Sequence, residues 1–169
     1  IDGEPQEAQG RIARAINDLN DVIRDIRNYI LDLRPQRFQG RDLKRGLEEL
    51  ARDFRANTFV NLDLLVSAQD LSFLSPQETI EILHITQEAL TNVRKHARAT
   101  HAAIAVSETN GELSVSIEDD GVGFDEERAR ARNRHGWSNM RQRASAISGR
   151  IAVERREGPS GARVVLTMP

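Results

Sequence analysis

Apolar residues in the N-terminal part of the chain recur at alternating steps of four and three positions. The members of this series are Ile12, Ile16, Leu19, Ile23, Ile26, Ile30 and Leu33. Such steps form a heptad pattern, which predicts a long helix with one apolar seam. Pro35 disfavours helical geometry in the residue before it, so we expect the helix to end at Arg34. A 3.5-residue repeat favours burial of the seam in an intermolecular bundle, and packing against its own domain is the alternative.

After this helix the period of the pattern changes several times. Residues 40–57 carry leucines and a phenylalanine at helical spacing, which predicts a short amphipathic helix. Residues 60–66 alternate between apolar and polar side chains and predict a strand. At residues 75–78 the sequence Ser-Pro-Gln-Glu combines a capping box with a proline at the first helical position. We therefore expect another helix from there to about Arg98.

The segments "AAIAVSE" and "ELSVSIED" alternate in the same way and are joined through Asn110 and Gly111. Asn-Gly between two alternating segments is a strong hairpin signal. The second segment places Leu113, Val115 and Ile117 on one face and Ser114, Ser116 and Glu118 on the other. One buried and one polar face are typical of a sheet that carries helices on one side.

The C-terminal third predicts a loop, a helix and a second hairpin. Residues 125–136 are polar and nearly free of bulky apolar side chains, which indicates a mobile loop. The next segment predicts a short helix with Ser138 as its cap and Gly149 as its stop. "RIAVERRE" and "ARVVLTMP" are two more alternating segments. The predicted fold class is α+β, a two-layer sandwich of a mixed, mostly antiparallel sheet with helices on one face, preceded by the heptad helix.

Composition limits the classes of function. The 169 residues are 38% hydrophobic and 30% charged, which suits one ordinary domain with an appendage. The formal net charge of −2 gives no basic excess, so we expect no nucleic-acid partner. Cysteine is absent, which excludes disulfides and thiolate metal sites. With no apolar run near ~20 residues and no signal peptide at its start, the chain is expected to be cytoplasmic, and any membrane association to come from regions outside this sequence.

Three polar residues of different chemistry lie on one face of the helix predicted after residue 75. Glu88, Asn92 and Lys95 follow at steps of four and three, which places a carboxylate, an amide and an ammonium on one stripe. A solvent-facing stripe has this composition. So does the wall of a site that holds a metal ion and a phosphate chain.

Two further segments could contact a ligand. At the end of a predicted strand, Asp119 precedes Gly121 and Gly123, and glycines at this spacing let the backbone turn sharply and approach a ligand. The carboxylate could accept a hydrogen bond from an exocyclic amine, although a plain turn would have the same sequence. Gly136 ends the polar loop just before a predicted helix, whose first N–H groups attract phosphate oxygens.

The order of these segments resembles a known family. "EALTNVRKHARA", "IEDDGVGFD" and "HGWSNMRQRA" resemble the ATP-binding domain of the gyrase, heat-shock-ninety, histidine-kinase and MutL ATPase superfamily. They are most similar to two-component sensor histidine kinases with a short ATP lid, whose response regulators end in a LuxR-type DNA-binding domain. "IRNYILDLRP" resembles the end of the second dimerisation helix of that branch. The resemblance implies two domains, residues 1–35 as part of the dimerisation domain and residues 36–169 as the catalytic ATP-binding domain.

The resemblance also implies a role for each candidate residue. Asn92 would hold Mg2+ through its amide oxygen. Glu88 would orient a metal-bound water or assist proton transfer from the attacking group. Lys95 and His96 would contact the phosphate chain, and Asp119 would accept from the adenine amine. The glycines complete the site: Gly121 and Gly123 would lie against the base, and Gly136, after a lid at residues 125–135, would close on the phosphates.

The reaction implied by the resemblance is transfer of the γ-phosphate of ATP to a histidine on the first dimerisation helix, followed by relay to an aspartate of a response regulator. The resemblance further implies a homodimer formed through the N-terminal helix. Asn17 and Asp18 stand where a His-Asp pair would be expected on a phosphoacceptor helix. We interpret this similarity as coincidence. Because the helix leads directly into "LDLRP", the resemblance makes it the second dimerisation helix, so we expect the phosphoacceptor histidine upstream and do not expect this chain to autophosphorylate by itself. The four histidines present, His84, His96, His101 and His135, are not expected to serve as phosphoacceptors.

Two residues depart from the family pattern. Trp137 stands where leucine is usual, and Ala162 stands where a threonine is usual. The lost hydroxyl would weaken ATP binding by about 1 kcal/mol. Two alternatives to a histidine kinase remain, a nucleotide-responsive dimerisation module without catalysis and another ATPase of the superfamily, such as an anti-sigma-factor serine kinase or a DNA-handling enzyme. The heptad helix that leads into "LDLRP" argues against the second.

Overall fold

The computed structural model describes only part of the chain, namely residues 10–12, 15, 38, 40, 42–123, 134–155 and 160–169. The chain divides into two compact units, Ile1–Gln39 and Gly40–Pro169. Of the predicted heptad seam only Ile12 is described, and it is helical. The rest of the seam, and residues 125–133 of the predicted lid, lie outside the described residues. The sheet and the helices that pack on it belong to the second unit.

The first helix of this unit, α1, spans Leu43–Asn57 and confirms the predicted amphipathic helix. Asp42 caps its N-terminus, since the carboxylate accepts a hydrogen bond from the backbone N–H of Arg45 at 2.8 Å. One face of the helix is buried, and it consists of Leu43, Gly46, Leu47, Leu50, Ala51 and Phe54.

Helix α2 spans Pro76–Asn92 and begins with the predicted capping box. The hydroxyl of Ser75 accepts from the N–H of Glu78 at 3.2 Å, and the carboxylate of Glu78 accepts from the N–H of Ser75 at 2.7 Å. The helix continues as a π-helical turn over Val93–Ala97, and Arg98 ends it in a left-handed conformation with φ 52°. The predicted end at about Arg98 is confirmed, but the last turn is not α-helical.

Within the described residues, five strands form one sheet in the order β1-β2-β3-β5-β4. Their bounds are Asn61–Val66, His101–Thr109, Glu112–Asp119, Arg150–Arg155 and Ala162–Met168 for β1 to β5. Strands β1 and β2 are parallel, and the other three pairs are antiparallel. Asn110 and Gly111 form the β2–β3 turn with φ values of 56° and 80°. The mixed, mostly antiparallel sheet and this hairpin were both predicted.

One face of the sheet forms the core together with the helices. Its buried residues include Leu62, Ile104, Val106, Leu113, Val115, Ile117, Leu166 and Met168, which share one side of the pleat. The predicted two-layer architecture is confirmed. Ser116, predicted on the polar face, does lie on the side opposite Ile117, yet it is only 4% exposed. It lies in the central strand, paired with Ala105 on one side and with Val165 on the other.

The last helix, α3, spans Arg134–Ala146 and begins one turn earlier than predicted. The expectations that Ser138 caps this helix and that the preceding loop extends to residue 136 are therefore wrong. Gly136, Met140 and Ala144 are all buried at steps of four residues, so packing continues the helix back past the exposed Ser138. In the part of the chain that the structure describes, no helix is long and apolar enough to cross a bilayer.

Candidate functional site

Glu88 and Asn92 lie one turn apart in α2, and both side chains are partly exposed beside the buried face of the helix. The buried residues of α2 are Thr79, Ile82, Leu83, Ile85, Thr86, Ala89 and Leu90. Because a spacing of four residues is one α-helical turn, the two side chains lie on the same face. This part of the predicted stripe has the α-helical geometry on which the prediction depended.

Lys95 and His96 lie in the π-helical turn, and both side chains are exposed. A turn closed by i→i+5 hydrogen bonds contains more residues than one closed by i→i+4 bonds. The chain therefore returns to the face of Asn92 later than α-helical spacing predicts, nearer to His96 than to Lys95. Single π-helical turns inside helices are frequent at functional sites, and this one directly follows Asn92.

Asp119 is the last residue of β3 and is only 7% exposed. Its position follows Leu113, Val115 and Ile117 at steps of two, so its side chain is on the core face of the sheet, toward the helices. The Oδ1 atom accepts a hydrogen bond from the backbone N–H of Gly121 at 2.9 Å. This bond fixes the orientation of the carboxylate at the rim of the core.

Gly121 lies against the end of the helical segment. A Cβ atom at this position would be 2.0 Å from the carbonyl oxygen of Ala97. The neighbouring Val122 donates its backbone N–H to the same oxygen at 2.8 Å. Gly121 was predicted to let the backbone approach a base, but the structure gives a reason within the protein, since only glycine leaves room for the π-helical turn. The contact brings the loop of Asp119 to the end of the helix that carries Asn92.

Gly123 completes the turn with φ 83°, a conformation that favours glycine. A Cβ atom there would be 3.3 Å from the carbonyl oxygen of Gly161, the residue before β5. The first residue of β5, Ala162, therefore belongs to the same end of the sheet. The structure thus brings together α2, the turn after β3 and the start of β5.

Asp120 was not singled out from the sequence, yet it makes a dense set of hydrogen bonds in this region. Its carboxylate accepts from the backbone N–H groups of Thr100 and His101 and from the Thr100 hydroxyl. The backbone bond from His101 is the largest cause of a pKa lowered to about 2, and the Thr100 hydroxyl is the next. The partners precede Asp120 by about twenty residues, so no local spacing could indicate them.

Helix α3 is joined to α2 two turns before Glu88. The guanidinium of Arg143 donates to the Glu81 carboxylate at 2.9 Å, and the Glu81 side chain is only 13% exposed. Gly136 is buried in the first turn of α3, although it does not open the helix as predicted. This ion pair was also missed in the sequence, because its two residues are far apart along the chain.

The donor atoms suit Mg2+ and a nucleotide. Asn92 offers an amide oxygen and Glu88 a carboxylate, and hard oxygen donors are the ligands that Mg2+ prefers when phosphates and water complete its shell. The buried carboxylate of Asp119 is an acceptor that matches an exocyclic amine. The residues present therefore fit the implied cofactors by their chemistry.

Comparison with known proteins agrees with the resemblance that the motifs indicated. The family model described as histidine kinase-, DNA gyrase B-, and HSP90-like ATPase matches residues 77–169. The chain is 31% identical over 145 residues to the sensor histidine kinase LiaS of Bacillus subtilis, covering 86% of this chain and 39% of LiaS. It is 27% identical over 168 residues to the nitrate/nitrite sensor protein NarX of Escherichia coli, covering 98% of this chain and 27% of NarX. The chain thus spans well under half the length of these curated relatives.

The fold is similar to solved structures as well. The ATP-binding domain of PrrB from Mycobacterium tuberculosis superposes with a TM-score of 0.59 at 22% identity. The match covers 76% of this chain and 94% of the PrrB domain. At this level of identity the likeness is one of fold.

Proposed function

Because the chain belongs to the histidine kinase-, DNA gyrase B- and HSP90-like ATPase family, we propose that it is the ATP-binding catalytic part of a sensor histidine kinase. One observation carries the proposal. Val122, in the loop that Asp119 begins, donates to the carbonyl of Ala97 at 2.8 Å, and Ala97 ends the helical segment that carries Asn92. A carboxylate suited to adenine and an amide suited to Mg2+ thus belong to two segments that are directly bonded to each other.

The adenine end of the site is the Asp119 loop. The carboxylate of Asp119 would accept a hydrogen bond from the exocyclic amine of adenine, a donor that guanine does not present at that position. The bond from Gly121 N–H to Asp119 keeps the carboxylate in one orientation before the base arrives. Gly123, with no side chain, would leave the backbone close to the ring.

The phosphate end is the end of helix α2. Asn92 would hold Mg2+ through its amide oxygen, and the bound ion would neutralise charge on the phosphates. Lys95 and His96, both exposed on the π-helical turn, would contact the phosphate chain. The first turn of α3, where Gly136 lies, would add the positive end of a helix dipole.

The reaction is phosphoryl transfer from ATP to a ring nitrogen of a histidine, with ADP as the leaving group. Positioning and charge neutralisation supply most of the rate enhancement in such reactions. Glu88, one turn before Asn92, would assist removal of the proton from the attacking imidazole. The phosphoryl group would then pass to an aspartate of a response regulator, which we propose carries a LuxR-type DNA-binding domain.

The assembly we propose rests on the same family membership. Residues 1–35 would form part of the dimerisation domain, and residues 36–169 the catalytic domain. The heptad seam would be buried in a homodimer, since an apolar stripe of isoleucine and leucine is unfavourable in water. The phosphoacceptor histidine would lie on a separate helix, and the site would operate in the cytoplasm, where ATP is available.

The proposal is tested by mixing the 169-residue chain with γ-labelled ATP, Mg2+ and a full-length sensor kinase of the same branch whose own ATP site has been inactivated. We expect label on the histidine of that partner and none on this chain incubated alone. Phosphohistidine loses its label in acid, whereas phosphoserine retains it, so acid treatment identifies the acceptor.

The other outcomes contradict the proposal in different ways. Acid-stable label on a serine would indicate a serine kinase of the same superfamily. Tight binding of Mg-ATP with no transfer to any supplied histidine would indicate a nucleotide-responsive module without catalysis. Absence of Mg-ATP binding in calorimetry would contradict both the kinase proposal and the nucleotide-responsive alternative.

A further inference from the structure

Asp120 joins two stretches of backbone that flank the candidate site. Its Oδ1 atom accepts from the N–H of Thr100 at 2.8 Å and from the N–H of His101 at 2.9 Å. Its Oδ2 atom accepts from the Thr100 hydroxyl at 2.7 Å. The backbone N–H of Asp120 also donates to the carbonyl of His101 at 3.1 Å. One residue therefore fastens the turn after β3 to the connection between the π-helical turn and β2.

The bonds to the Asp120 side chain lie outside the regular pairing of the two strands, whereas its backbone bond to His101 continues their antiparallel register by one residue. The ladder between β2 and β3 ends with Ala102 opposite Asp119. Beyond that pair, the path of the chain through Asp120 and Val122 is set by the bonds to residues 97–101. The side chain of Asp120 thus holds the turn in place together with these backbone bonds, and it is the side chain that binds the N–H groups of Thr100 and His101.

A carboxylate is well suited to this position. Three donors converge on it, and its two oxygens can accept all three. Hydrogen bonds to an ionised acceptor are shorter and stronger than those between neutral groups. The lowered pKa of Asp120, about 2, means that the side chain is ionised at neutral pH.

We propose that Asp120 is a positioning residue of the nucleotide site, which fixes the Asp119 loop relative to the helical segment that carries Asn92. Asp119 and Asn92 bind opposite ends of one ligand, so the affinity for the whole nucleotide depends on holding both ends at the correct separation. Asp120 acts on both ends through Thr100, His101 and its own backbone. The inference rests on the proposed function, because it requires that both ends bind one ATP.

The test compares the whole nucleotide with its parts in variants of the 169-residue chain. Binding of Mg-ATP, of adenosine and of Mg-tripolyphosphate is measured by calorimetry or by competition with a fluorescent ATP analogue. For Asp120→Ala we expect Mg-ATP affinity to fall about tenfold, because two linked groups lose their joint placement, while each part alone changes less than about threefold. If Asp120 only stabilised the fold, the affinity for Mg-ATP relative to that for adenosine and tripolyphosphate would not change at temperatures below unfolding.

Two milder variants keep the test decisive if Asp120→Ala does not fold. Asp120→Asn can still accept from both N–H groups through its carbonyl oxygen and donate to the Thr100 hydroxyl through its amide, so we expect it to restore most of the affinity. Thr100→Val removes only the hydroxyl donor and keeps the branched shape, and we expect a loss of about twofold. Asp70→Ala is the control, since the carboxylate of Asp70 also accepts a hydrogen bond from a backbone N–H, that of Ser72 at 2.8 Å, in a loop elsewhere in the chain.

The outcomes separate the two proposals. A wild-type chain that binds no Mg-ATP would overturn the proposed function and the positioning role together. A wild-type chain that binds Mg-ATP, with Asp120→Ala equally tight, would overturn the positioning role alone. Equal losses for Mg-ATP, adenosine and tripolyphosphate, or a loss in Asp70→Ala as large as in Asp120→Ala, would show a general effect on the fold and also overturn it.

Discussion

The two ends of helix α2 are built on different principles. At its start, Ser75 and Glu78 exchange hydrogen bonds across three residues, and every group involved lies within four consecutive positions. At its end, the π-helical turn Val93–Ala97 has its last carbonyl bound by Val122, twenty-five residues later in the chain. The first end is determined by local sequence and the second by contacts with a distant loop.

The start of α2 therefore contributes mainly to stability, whereas its end carries the groups proposed to bind the ligand. The capping bonds at the start of α2 are exposed, and they lie about three turns before Glu88. The end of α2 carries Asn92, and the loop bonded to it carries Asp119. A helix whose last turn is fitted to a distant loop can place a ligand group more accurately than one that frays. Substitutions at each end test this contrast, from the largest expected effect to the smallest.

Gly121→Ala should disrupt the contact between the loop after β3 and the π-helical turn at the end of α2. The new Cβ would be 2.0 Å from the carbonyl oxygen of Ala97, so the turn or the loop must move. We expect a loss of about 3 kcal/mol in the free energy of unfolding, by analogy with overpacked sites, and loss of Mg-ATP binding. Urea unfolding followed by circular dichroism measures the first, and calorimetry the second.

The matched control is Gly111→Ala in the β2–β3 turn. Gly111 has a positive φ, 80°, which Gly121 does not, and a Cβ there meets nothing within 4 Å. We expect a cost of about 1 kcal/mol from backbone strain and unchanged ATP affinity. If the two substitutions cost the same, the close approach at Gly121 would not determine the end of the helix.

Asn92→Ala should remove the function of this end without removing its structure. The amide is partly exposed, so its loss leaves no cavity in the core. We expect Mg-ATP affinity to fall by at least about 30-fold, since loss of a group that only supports a metal ligand already costs about 10- to 100-fold, and the thermal unfolding midpoint to stay nearly constant. Asn57→Ala, at the last residue of α1, is the control and should leave Mg-ATP affinity unchanged. Equal Mg-ATP affinity in Asn92→Ala and wild type would contradict the role of the amide.

The same contrast explains what could be predicted from the sequence. The capping box, the Asn110–Gly111 hairpin and the alternating strands depend on neighbours, and all were predicted. The early start of α3 was missed, because burial of Gly136, Met140 and Ala144 outweighed the local signal of Ser138. The bonds that Asp120 makes were missed as well, since their partners lie about twenty residues earlier.

In the candidate site, too, features that depend on local sequence were predicted, and those that depend on distant contacts were not. The chemistry of Glu88, Asn92 and Asp119 is visible in the sequence, because carboxylates and amides at helical spacing or at a strand end are local features. The π-helical turn was not visible, and the glycine that packs against its last carbonyl lies more than twenty residues later in the chain. The sequence therefore indicates which groups could bind, and the structure adds how their segments are held together.

Ser75→Ala should weaken only the start of α2, which is stabilised by the capping box. It removes the hydroxyl that accepts from Glu78 N–H at 3.2 Å, and loss of such a cap costs about 1 kcal/mol. We expect a lower free energy of unfolding in urea and unchanged Mg-ATP affinity. Asp42→Ala removes the cap of α1 and should behave alike. A clear change in Mg-ATP affinity in Ser75→Ala would show that the two ends of α2 are coupled.

The smallest expected effect is a change in stability at acidic pH, which measures the contribution of the ionised Asp120 side chain. The folded pKa of Asp120 is about 2, below its ordinary value of 3.8. A carboxylate whose pKa is lowered by folding contributes stability that is present above the ordinary pKa and is lost as pH falls toward the folded pKa. The difference in unfolding midpoint between wild type and Asp120→Asn should therefore be constant above about pH 5 and shrink between about pH 4 and pH 2. The pKa of Asp70 is also lowered, first by the backbone N–H of Ser72 and then by its hydroxyl. Asp70 should add its own acid-dependent stability independently of Asp120, because the two carboxylates share no partner. A difference that stays constant down to about pH 2.5 would show that the bonds from Thr100 and His101 do not stabilise the ionised form of Asp120.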